Sequence, residues 1–250
     1  YIKYMSKTVI IIPSRLSAKR LPNKPLLKIN DKPMIVQVYK RAVEANIGEV
    51  YVATPDQEII DVINNFSGKS IITKNNHKTG SDRVYEAYNK IDDKNIDFII
   101  NLQGDMPNID PKNILKLNNL MEENDSDIGT LGANIIDNQE IKDKNIVKVK
   151  TEENLNKKNF LKSEDFFRIG NTDDILNIYH HVGIYIFRPN SLKKYINLSR
   201  TKNEIERNLE QMRILDNNLN INVGLSSSVP LSVDTEGELE KVRQLMSLKK

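Results

Sequence analysis

A basic loop near the start of the chain carries the residues best suited to chemistry. It follows an apolar run that ends at Pro13, and it contains four cations: Arg15, Lys19, Arg20 and Lys24. Arginine grips phosphate with a fork of donors, and lysine supplies a compact charge that can follow a leaving group. Prolines at positions 13, 22 and 25 stiffen the loop and pre-organise it. The pattern favours a polyphosphate site, with a solvated basic loop as the alternative.

Two carboxylates are candidate metal ligands. Asp105 follows a buried apolar run within Gln103-Gly104-Asp105, and Asp234 lies in Val233-Asp234-Thr235. Mg²⁺ prefers oxygen ligands and is commonly held by one or two carboxylates together with substrate phosphates. The alternatives are a turn or helix cap for Asp105 and the N-cap of the last helix for Asp234.

Other kinds of site are excluded by what the sequence lacks. With no cysteine, a metal has only oxygen ligands or the three histidines, His77, His180 and His181. Neither G-x-G-x-x-G after a strand nor G-x-x-x-x-G-K-[ST] is present. The sequence therefore does not indicate either of the usual phosphate-binding loops, the dinucleotide-binding loop or the P-loop.

Alternating strands and helices must position these residues in the first half of the chain. Strands are predicted at 8–12, 50–53, 70–73 and 97–102, with helices at 56–66 and 81–91 between them. A further helix begins at Met34, with Asp31 to Pro33 as its cap and first turn. Such alternation implies right-handed crossovers in a mostly parallel sheet, whose carboxyl edge binds ligands.

The second half is predicted to form mixed or antiparallel strands that either extend the sheet or form a flap. These are predicted at 129–135, 146–151, 159–162, 180–188 and 221–225. A helix is predicted over 203–215, with Ile205, Leu209, Met212 and Leu215 on one stripe, and a closing helix from Glu236. We expect one α/β domain over residues 5–250. Residues 1–4 are excluded because Met5 is the expected start.

Composition excludes several classes of protein. Of the 250 residues, 38% are hydrophobic and 28% are charged, as in ordinary globular proteins. The net charge of +3 arises from interspersed signs, which does not indicate nucleic-acid binding. No apolar run approaches the roughly 18 residues that span a bilayer. We expect a cytoplasmic protein with no membrane partner.

From Thr8 to about Leu248 the chain resembles the 3-deoxy-manno-octulosonate cytidylyltransferases, the CMP-Kdo synthetases. Eight segments carry this resemblance in the right order and spacing: Ile12-Pro13-x-Arg15, Arg20-Leu21-Pro-x-Lys24-Pro-Leu, Asp31-Lys32-Pro33-Met34-Ile35, His77-Lys78-Thr79-Gly80-Ser81-Asp82-Arg83, Gln103-Gly104-Asp105, His181-Val182-Gly183-Ile184-Tyr185, Glu210-Gln211-x-Arg213-x-Leu215 and Val233-Asp234-Thr235.

The resemblance implies both an activity and an architecture. The activity is Mg²⁺-dependent condensation of CTP with Kdo, an acidic eight-carbon sugar, to CMP-Kdo and pyrophosphate for lipopolysaccharide synthesis. The fold is a three-layer α/β/α, mostly parallel sheet of the nucleotide-diphospho-sugar transferase type, usually in a homodimer. Residues 5–130 would form the nucleotide-binding half, 131–230 the sugar-binding and dimerisation part, and 231–250 the closing segment, with the dimer contact near 203–215.

The resemblance also assigns roles by position. Arg15, Lys24 and Asp105 would be catalytic, and Asp105 and Asp234 would hold magnesium. The nucleotide would be bound by Pro13, Ser14, Arg15, Arg20, Lys24, Thr73, Lys74, Asn75, Gly80, Ser81, Arg83 and Gln103. The sugar acid would be bound by Gln103, His181, Tyr185, Glu210 and Gln211. Lys19 matches no functional position and is expected to be solvated.

Alternatives remain for the sugar residues. His181 could be a satisfied strand histidine, and Glu210 and Gln211 could face solvent or a dimer partner. His180 should lie on the opposite face of its strand, so at most one of the two histidines should reach the site.

The sequence departs from the family in three places. Asn23 replaces a usual glycine, which asparagine tolerates in left-handed conformations, and Ala18 replaces a usual serine. The segment Lys162 to Asp165 lacks the family's arginine, which leaves 8-amino-Kdo, sialic acid or a non-catalytic regulator as alternatives.

Overall fold

The structure is a computed structural model that describes residues 6–17, 20–93, 95–137, 139–169 and 176–248. The expectations for residues 1–4, Ala18 and Lys19 lie outside these residues. The chain divides into two compact units, one of residues 1–115 with 230–250 and one of residues 116–229.

The described residues form strands and helices throughout the chain. The strands are β1 (Thr8–Pro13), β2 (Lys28–Ile29), β3 (Lys32–Pro33), β4 (Gly48–Thr54), β5 (Ser70–Ile72), β6 (Phe98–Leu102), β7 (Ile128–Asn134), β8 (Lys148–Thr151), β9 (Phe160–Phe167), β10 (Ile178–Phe187) and β11 (Asn222–Leu225). The helices are α1 (Met34–Glu44), α2 (Gln57–Asn65), α3 (Gly80–Asn89), α4 (Pro111–Glu123), α5 (Gln139–Lys142), α6 (Pro189–Ile196), α7 (Lys202–Arg207), α8 (Met212–Leu215) and α9 (Glu236–Ser247).

The first unit is built on a parallel sheet in the order β5-β4-β1-β6. Strand β1 is flanked by β4 and β6, and its residues from Val9 to Ile12 are at most 1% exposed. A continuous apolar run suits a strand that is covered on both faces, as the sequence predicted. At the start of β4, Gly48 has φ 159°, and a methyl group there would lie 1.8 Å from Thr8 O. Only glycine therefore allows this approach to β1.

The start of α1 differs from the prediction. Asp31 instead lies in the turn between β2 and β3, and Lys32 and Pro33 form strand β3, which pairs antiparallel with β2. Pro33 then occupies the N-cap in an extended conformation, with ψ 145°, and the helix begins at Met34. The strand pairing of Lys32 and Pro33 with Lys28 and Ile29 removes this segment from the first helical turn.

The second unit contains a mixed sheet in the order β10-β7-β11-β9-β8. Strand β11 runs parallel to β7, whereas the β10–β7, β11–β9 and β8–β9 pairs are antiparallel. The first residues of β10 also pair with β8, which joins the two ends of this strand order. The predicted change to mixed or antiparallel strands in the second half is confirmed.

The single helix predicted over 203–215 is wrong. The chain forms α7 and α8 instead, separated by Asn208 in the left-handed conformation at φ 52°. The Leu209 N–H donates to Glu204 O at 3.2 Å, a bond that ends α7 in a Schellman-type turn. Ile205, placed on the apolar stripe by the prediction, is 58% exposed. A left-handed asparagine therefore overrides the helical periodicity.

Candidate active site

Backbone contacts at the end of β1 set the course of the basic loop. The Ser14 N–H donates to Ala53 O at 2.9 Å, and the Leu16 N–H donates to the carboxylate of Asp56 at 2.7 Å. Further along, Leu21 is buried in an apolar cluster that includes Val233 and Leu239. These contacts attach both sides of the loop to the first unit.

The second half of the loop turns at Asn23. This residue has φ 55° and ψ 21°, the left-handed conformation that asparagine tolerates, so the expectation at this position is confirmed. A short 3₁₀-helix, Lys24–Leu26, follows at once, with Pro25 inside it. The turn brings the Lys24 side chain back into the unit, where it is only 14% exposed.

Lys24 joins two carboxylates that are far apart in the sequence. Its Nζ donates to Asp105 Oδ2 at 3.0 Å and to Asp234 Oδ1 at 2.9 Å, while Arg20 Nη2 donates to Asp234 Oδ2 at 2.7 Å. Burial lowers the pKa of Lys24, but the charges and hydrogen bonds of Asp105 and Asp234 outweigh burial and raise that pKa above its ordinary value. The ammonium therefore stays charged between the two carboxylates.

A backbone contact fixes the position of Asp234 next to Asp105. The Val233 N–H donates to Asp105 O at 2.9 Å. The last helix, α9, is capped by the side chain of Thr235 in a capping box with Glu238. The N-cap alternative for Asp234 is therefore wrong, and its carboxylate is available for the two cations.

The paired carboxylates suit a magnesium ion. Two carboxylate oxygens converge on one cationic nitrogen, and Mg²⁺ is commonly bound by one or two carboxylates while phosphates and water complete the octahedron. In the part of the chain that the structure describes, no group of three or more acidic or histidine side chains is arranged to hold a metal. The pair thus fits an ion that also takes ligands from a bound polyphosphate, rather than one held by protein alone.

The segment after β5 is held by two residues of α3. Arg83, which is 3% exposed, donates from Nη1 to Thr73 Oγ1 and to Lys74 O. Burial, followed by the nearby charge of Arg15, lowers the pKa of Arg83. Glu86 accepts from the Lys74 N–H at 3.0 Å and also contacts His77 Nε2. The Lys74 and Asn75 side chains remain exposed at the surface of this segment.

The ends of β1 and β6 meet the start of α3. A methyl group at Gly80 would lie 3.4 Å from Pro13 Cγ and 3.8 Å from Gln103 Oε1. Gln103 Nε2 donates to Asn101 Oδ1, and Asn101 Nδ2 donates to Ser81 Oγ, both at 3.3 Å. The structure therefore brings Pro13, Gly80, Ser81 and Gln103 together at the carboxyl edge of the parallel sheet.

In the second unit, a bulge in β10 organises His181. The pairing of β10 with β7 shifts between Val182 and Tyr185. Thr130 Oγ1 fills this irregularity, 2.7 Å from Ile184 O and 3.0 Å from His181 Nε2. Because a hydroxyl has one proton to donate, donation to Ile184 O makes His181 Nε2 the donor to Thr130.

His181 is a neutral imidazole in this setting. Burial, with a smaller contribution from His180, lowers its pKa to about 3. Its ring packs edge-on against Phe166 at 5.1 Å and lies 5.4 Å from the ring of Tyr185. His180 instead contacts Glu140 at 2.8 Å, so the two histidines have separate surroundings, as strand alternation predicted. The contact with Thr130 also shows that His181 is a hydrogen-bonded strand residue.

Glu210 and Gln211 lie in the turn between α7 and α8. The Tyr195 hydroxyl donates to Glu210 O at 3.2 Å, and Gln211 is 5% exposed. The solvent-facing alternative is therefore wrong for Gln211. This turn is held by a buried ion pair in which Arg213 donates from Nε and Nη2 to both oxygens of Glu204, at 2.8 and 2.6 Å.

The segment that departs from the family lies within β9. Asp165 accepts from Arg207 Nη1 at 2.5 Å, and the same nitrogen donates to Phe166 O at 2.9 Å. Phe166 in turn contacts His181. Arg207 therefore ties the end of α7 to the strand beside the histidine.

The residues predicted to bind the substrates and the metal are divided between the two units. Those for the triphosphate, the base and the metal lie in the first unit with Gln103, and the other sugar candidates lie in the second. Sequence reasoning missed Glu86, Thr130 and the Glu204–Arg213 pair. Glu86, Thr130 and Glu204 belong to no quoted motif, and Arg213 lies within one but was not assigned a role. The one sequence feature that pointed to Asn101 is its position as a single polar residue within the apolar run of β6.

Comparison with known proteins first defines the class. The family model described as "Cytidylyltransferase" matches residues 9–221. UDP-glucose pyrophosphorylase complexed with UDP-glucose has the same fold, with a TM-score of 0.69 at 13% identity over 98% of this chain and 100% of that one. Among the described residues, none of the helices has the length and apolar character needed to cross a bilayer. The protein is a nucleotidyltransferase of the α/β type.

Closer relatives define the family. The chain is 39% identical to a 3-deoxy-manno-octulosonate cytidylyltransferase of Bartonella tribocorum over 96% of its length and 98% of the relative. It is 38% identical to that of Brucella canis, over 96% of both chains. A solved CMP:2-keto-3-deoxy-manno-octonic acid synthetase complexed with CTP matches with a TM-score of 0.87 at 36% identity, covering 98% and 100% of the two chains. The chain belongs to the 3-deoxy-manno-octulosonate cytidylyltransferases.

Proposed function

We propose that this protein transfers CMP from CTP to the anomeric hydroxyl of Kdo, releasing pyrophosphate and activating the sugar for lipopolysaccharide synthesis. The observation that carries the proposal is the contact of Lys24 with both Asp105 and Asp234 at the end of a basic loop, in a chain of this family. The names of the relatives support Kdo, and none of those quoted supports the sialic acid, 8-amino-Kdo or regulatory alternatives.

The basic loop binds and orients the triphosphate. Arg15 and Arg20 are exposed cations that precede Lys24 in the same loop, and the Lys24 ammonium is largely buried, so the three can spread over a chain of phosphates. The hydroxyl oxygen of the sugar bonds to the α-phosphorus as the bond from that phosphorus to the bridging oxygen breaks. Lys24 stabilises the charge that grows on the departing pyrophosphate. Transfer of this kind depends on positioning and charge neutralisation more than on covalent chemistry by the protein.

Asp105 and Asp234 would hold Mg²⁺. When bound, the ion would polarise the α-phosphate and favour loss of the proton from the attacking hydroxyl. No side chain is assigned as a general base. The role of the two aspartates is to keep the ion next to the phosphates that the loop orients.

The nucleoside and the sugar acid have separate sets of contacts. Thr73, Lys74, Asn75 and Arg83 form the base side, with Gly80, Ser81 and Gln103 at the end of the parallel sheet. His181, Tyr185, Glu210 and Gln211 contact the sugar acid, and His181 does so as a neutral group. The resemblance to the family implies that the protein forms a homodimer. A cytoplasmic location fits its use of CTP.

A pyrophosphate-release screen tests the proposal. CTP and UTP are each incubated with Mg²⁺ and with Kdo, 8-amino-Kdo or sialic acid. We expect release with CTP and Kdo above every other combination. Greater turnover of another sugar acid would replace Kdo as the substrate, and CTP binding without turnover of any acid would favour the regulatory alternative.

A further inference from the structure

The main chain of Lys74 is engaged on both sides by helix α3. Glu86 Oε2 accepts from its N–H at 3.0 Å, and Arg83 Nη1 donates to its carbonyl oxygen at 3.1 Å. The two side chains are three residues apart and so share one face of α3. The segment they hold has no strand or helix of its own between β5 and Thr79. A backbone hydrogen bond from the Thr73 N–H to Thr54 O at 2.9 Å holds its first residue, and the two contacts of Lys74 hold the next one.

Glu86 is the centre of this arrangement. Its carboxylate accepts from the Lys74 N–H, contacts His77 Nε2 and pairs with Lys90 Nζ at 2.7 Å, while the side chain is only 15% exposed. Burial raises the pKa of this carboxyl, but the contacts with Lys90, Lys74 and His77 outweigh burial and lower it to about 2. Helix α3 does not need Glu86 as a cap, because Thr79 and Asp82 form its capping box.

We propose that Glu86 is a positioning residue that sets the conformation of residues 73–77 and thereby the preference for cytosine over uracil. This inference rests on the proposed function, which places the base beside Thr73, Lys74 and Asn75. Glu86 acts through that segment and does not contact the nucleotide.

The chemistry of the two bases gives the physical reason. Cytosine carries an amino donor where uracil carries a carbonyl acceptor, so discrimination requires protein donors and acceptors in fixed positions. The N–H and the carbonyl of Lys74 are already occupied by α3. The cytosine is therefore recognised by neighbouring groups of the same segment, and the positions of those groups depend on how Lys74 is held. Loss of the Glu86 contact lets the segment shift. The preference for CTP over UTP then falls more than the rate of the chemical step does.

The test measures nucleotide binding without turnover. Isothermal calorimetry compares CTP and UTP with Mg²⁺, in the absence of sugar acid, for the wild type and for Glu86→Ala, Glu86→Gln and Glu58→Gln. Glu58 is an exposed carboxylate in the first turn of α2 and serves as the matched control. Because the charge-assisted hydrogen bond to the Lys74 N–H is lost, CTP binding should weaken roughly tenfold or more in Glu86→Ala. Glu86→Gln keeps an acceptor oxygen and should lie between the alanine variant and the wild type.

Steady-state kinetics and melting temperature complete the experiment. We expect KM for CTP to rise, kcat to change by less than about threefold, and the ratio of CTP to UTP affinity to fall, because the contact acts on binding. The proposal is overturned if the variants retain wild-type affinities and selectivity, or if affinity for both nucleotides falls equally along with the melting temperature. Failure of the wild type to bind CTP would instead refute the proposed function.

Discussion

Lys24 Nζ lies 3.0 Å from Asp105 Oδ2, and the same nitrogen contacts Asp234. The protein therefore places its own cation between the two carboxylates that would hold the metal. A divalent ion that approaches in the absence of nucleotide must compete with this ammonium. A triphosphate offers the lysine another anionic partner and so should make the carboxylates more available.

The first prediction concerns metal binding at this pair. In Lys24→Met, Mn²⁺ used as a probe should bind the nucleotide-free protein more tightly than it binds the wild type, by about tenfold, because a competing charge is removed. Electron paramagnetic resonance of free Mn²⁺ measures the affinity. Lys28→Met, which removes an exposed cation a few residues further along, is the control and should bind like the wild type. Equal affinity in all three proteins would contradict competition by Lys24.

The second prediction separates the metal ligand from other surface carboxylates. Asp105→Asn should reduce turnover at least about 100-fold, since a group that holds charge next to the reacting phosphates is lost. Pyrophosphate release with CTP and Kdo is the measurement. Asp61→Asn changes an exposed carboxylate on α2 and should leave the rate unchanged. Near wild-type turnover in Asp105→Asn would remove Asp105 from the metal site.

The third prediction concerns the buried pair beneath the α7–α8 turn. Glu204 is 1% exposed and Arg213 is 4% exposed, so Glu204→Gln leaves the guanidinium without its charged partner. Breaking such a pair costs about 3–5 kcal/mol of stability. Urea unfolding followed by circular dichroism measures this loss. Glu206→Gln removes an exposed carboxylate of the same helix and should change stability by less than about 0.5 kcal/mol. Similar losses in both variants would show that the buried pair has no special role.

The fourth prediction follows from the neutral state of His181. Its pKa is lowered to about 3 in the folded protein, against about 6.5 when unfolded, so between these values only the unfolded chain binds the proton. The stability contributed by this group is therefore present above about pH 6.5 and is lost as the pH falls, by roughly 2 kcal/mol from pH 7 to pH 5.

Urea unfolding at pH 7 and pH 5 measures this dependence. His181→Gln removes the titrating group, so its stability should fall less than that of the wild type over the same interval. The comparison uses the change with pH in each protein, which cancels the cost of the substitution itself. Parallel losses in the two proteins would mean that His181 does not titrate as a buried neutral group.

Local sequence patterns were sufficient to predict most strands and helices of the first unit. The continuous apolar run of β1 indicates a strand buried on both faces, and the helical spacing of apolar residues in α1 indicates a helix buried on one face. Both patterns depend only on residues that are close together in the sequence. The same patterns failed at 203–215, where Asn208 adopts the left-handed conformation and separates α7 from α8. The cap and first-turn proline predicted from the residue types of Asp31 to Pro33 were also wrong, because the pairing of β2 with β3 depends on backbone hydrogen bonds that no side-chain pattern reports.

For the candidate site, the sequence by itself determined the family, the parallel and mixed halves of the fold, and the residue types available for phosphate and metal. Only the tertiary structure decided which of those residues meet. Lys24 is 81 residues from Asp105 and 210 residues from Asp234, and their contact depends on the Val233 to Asp105 hydrogen bond and on the buried cluster around Leu21. The carboxylate of Glu86 likewise meets the Lys74 N–H and His77 only when α3 packs against strands β1, β4 and β6. Separation along the chain carries no information about such contacts, because folding of the whole unit creates them.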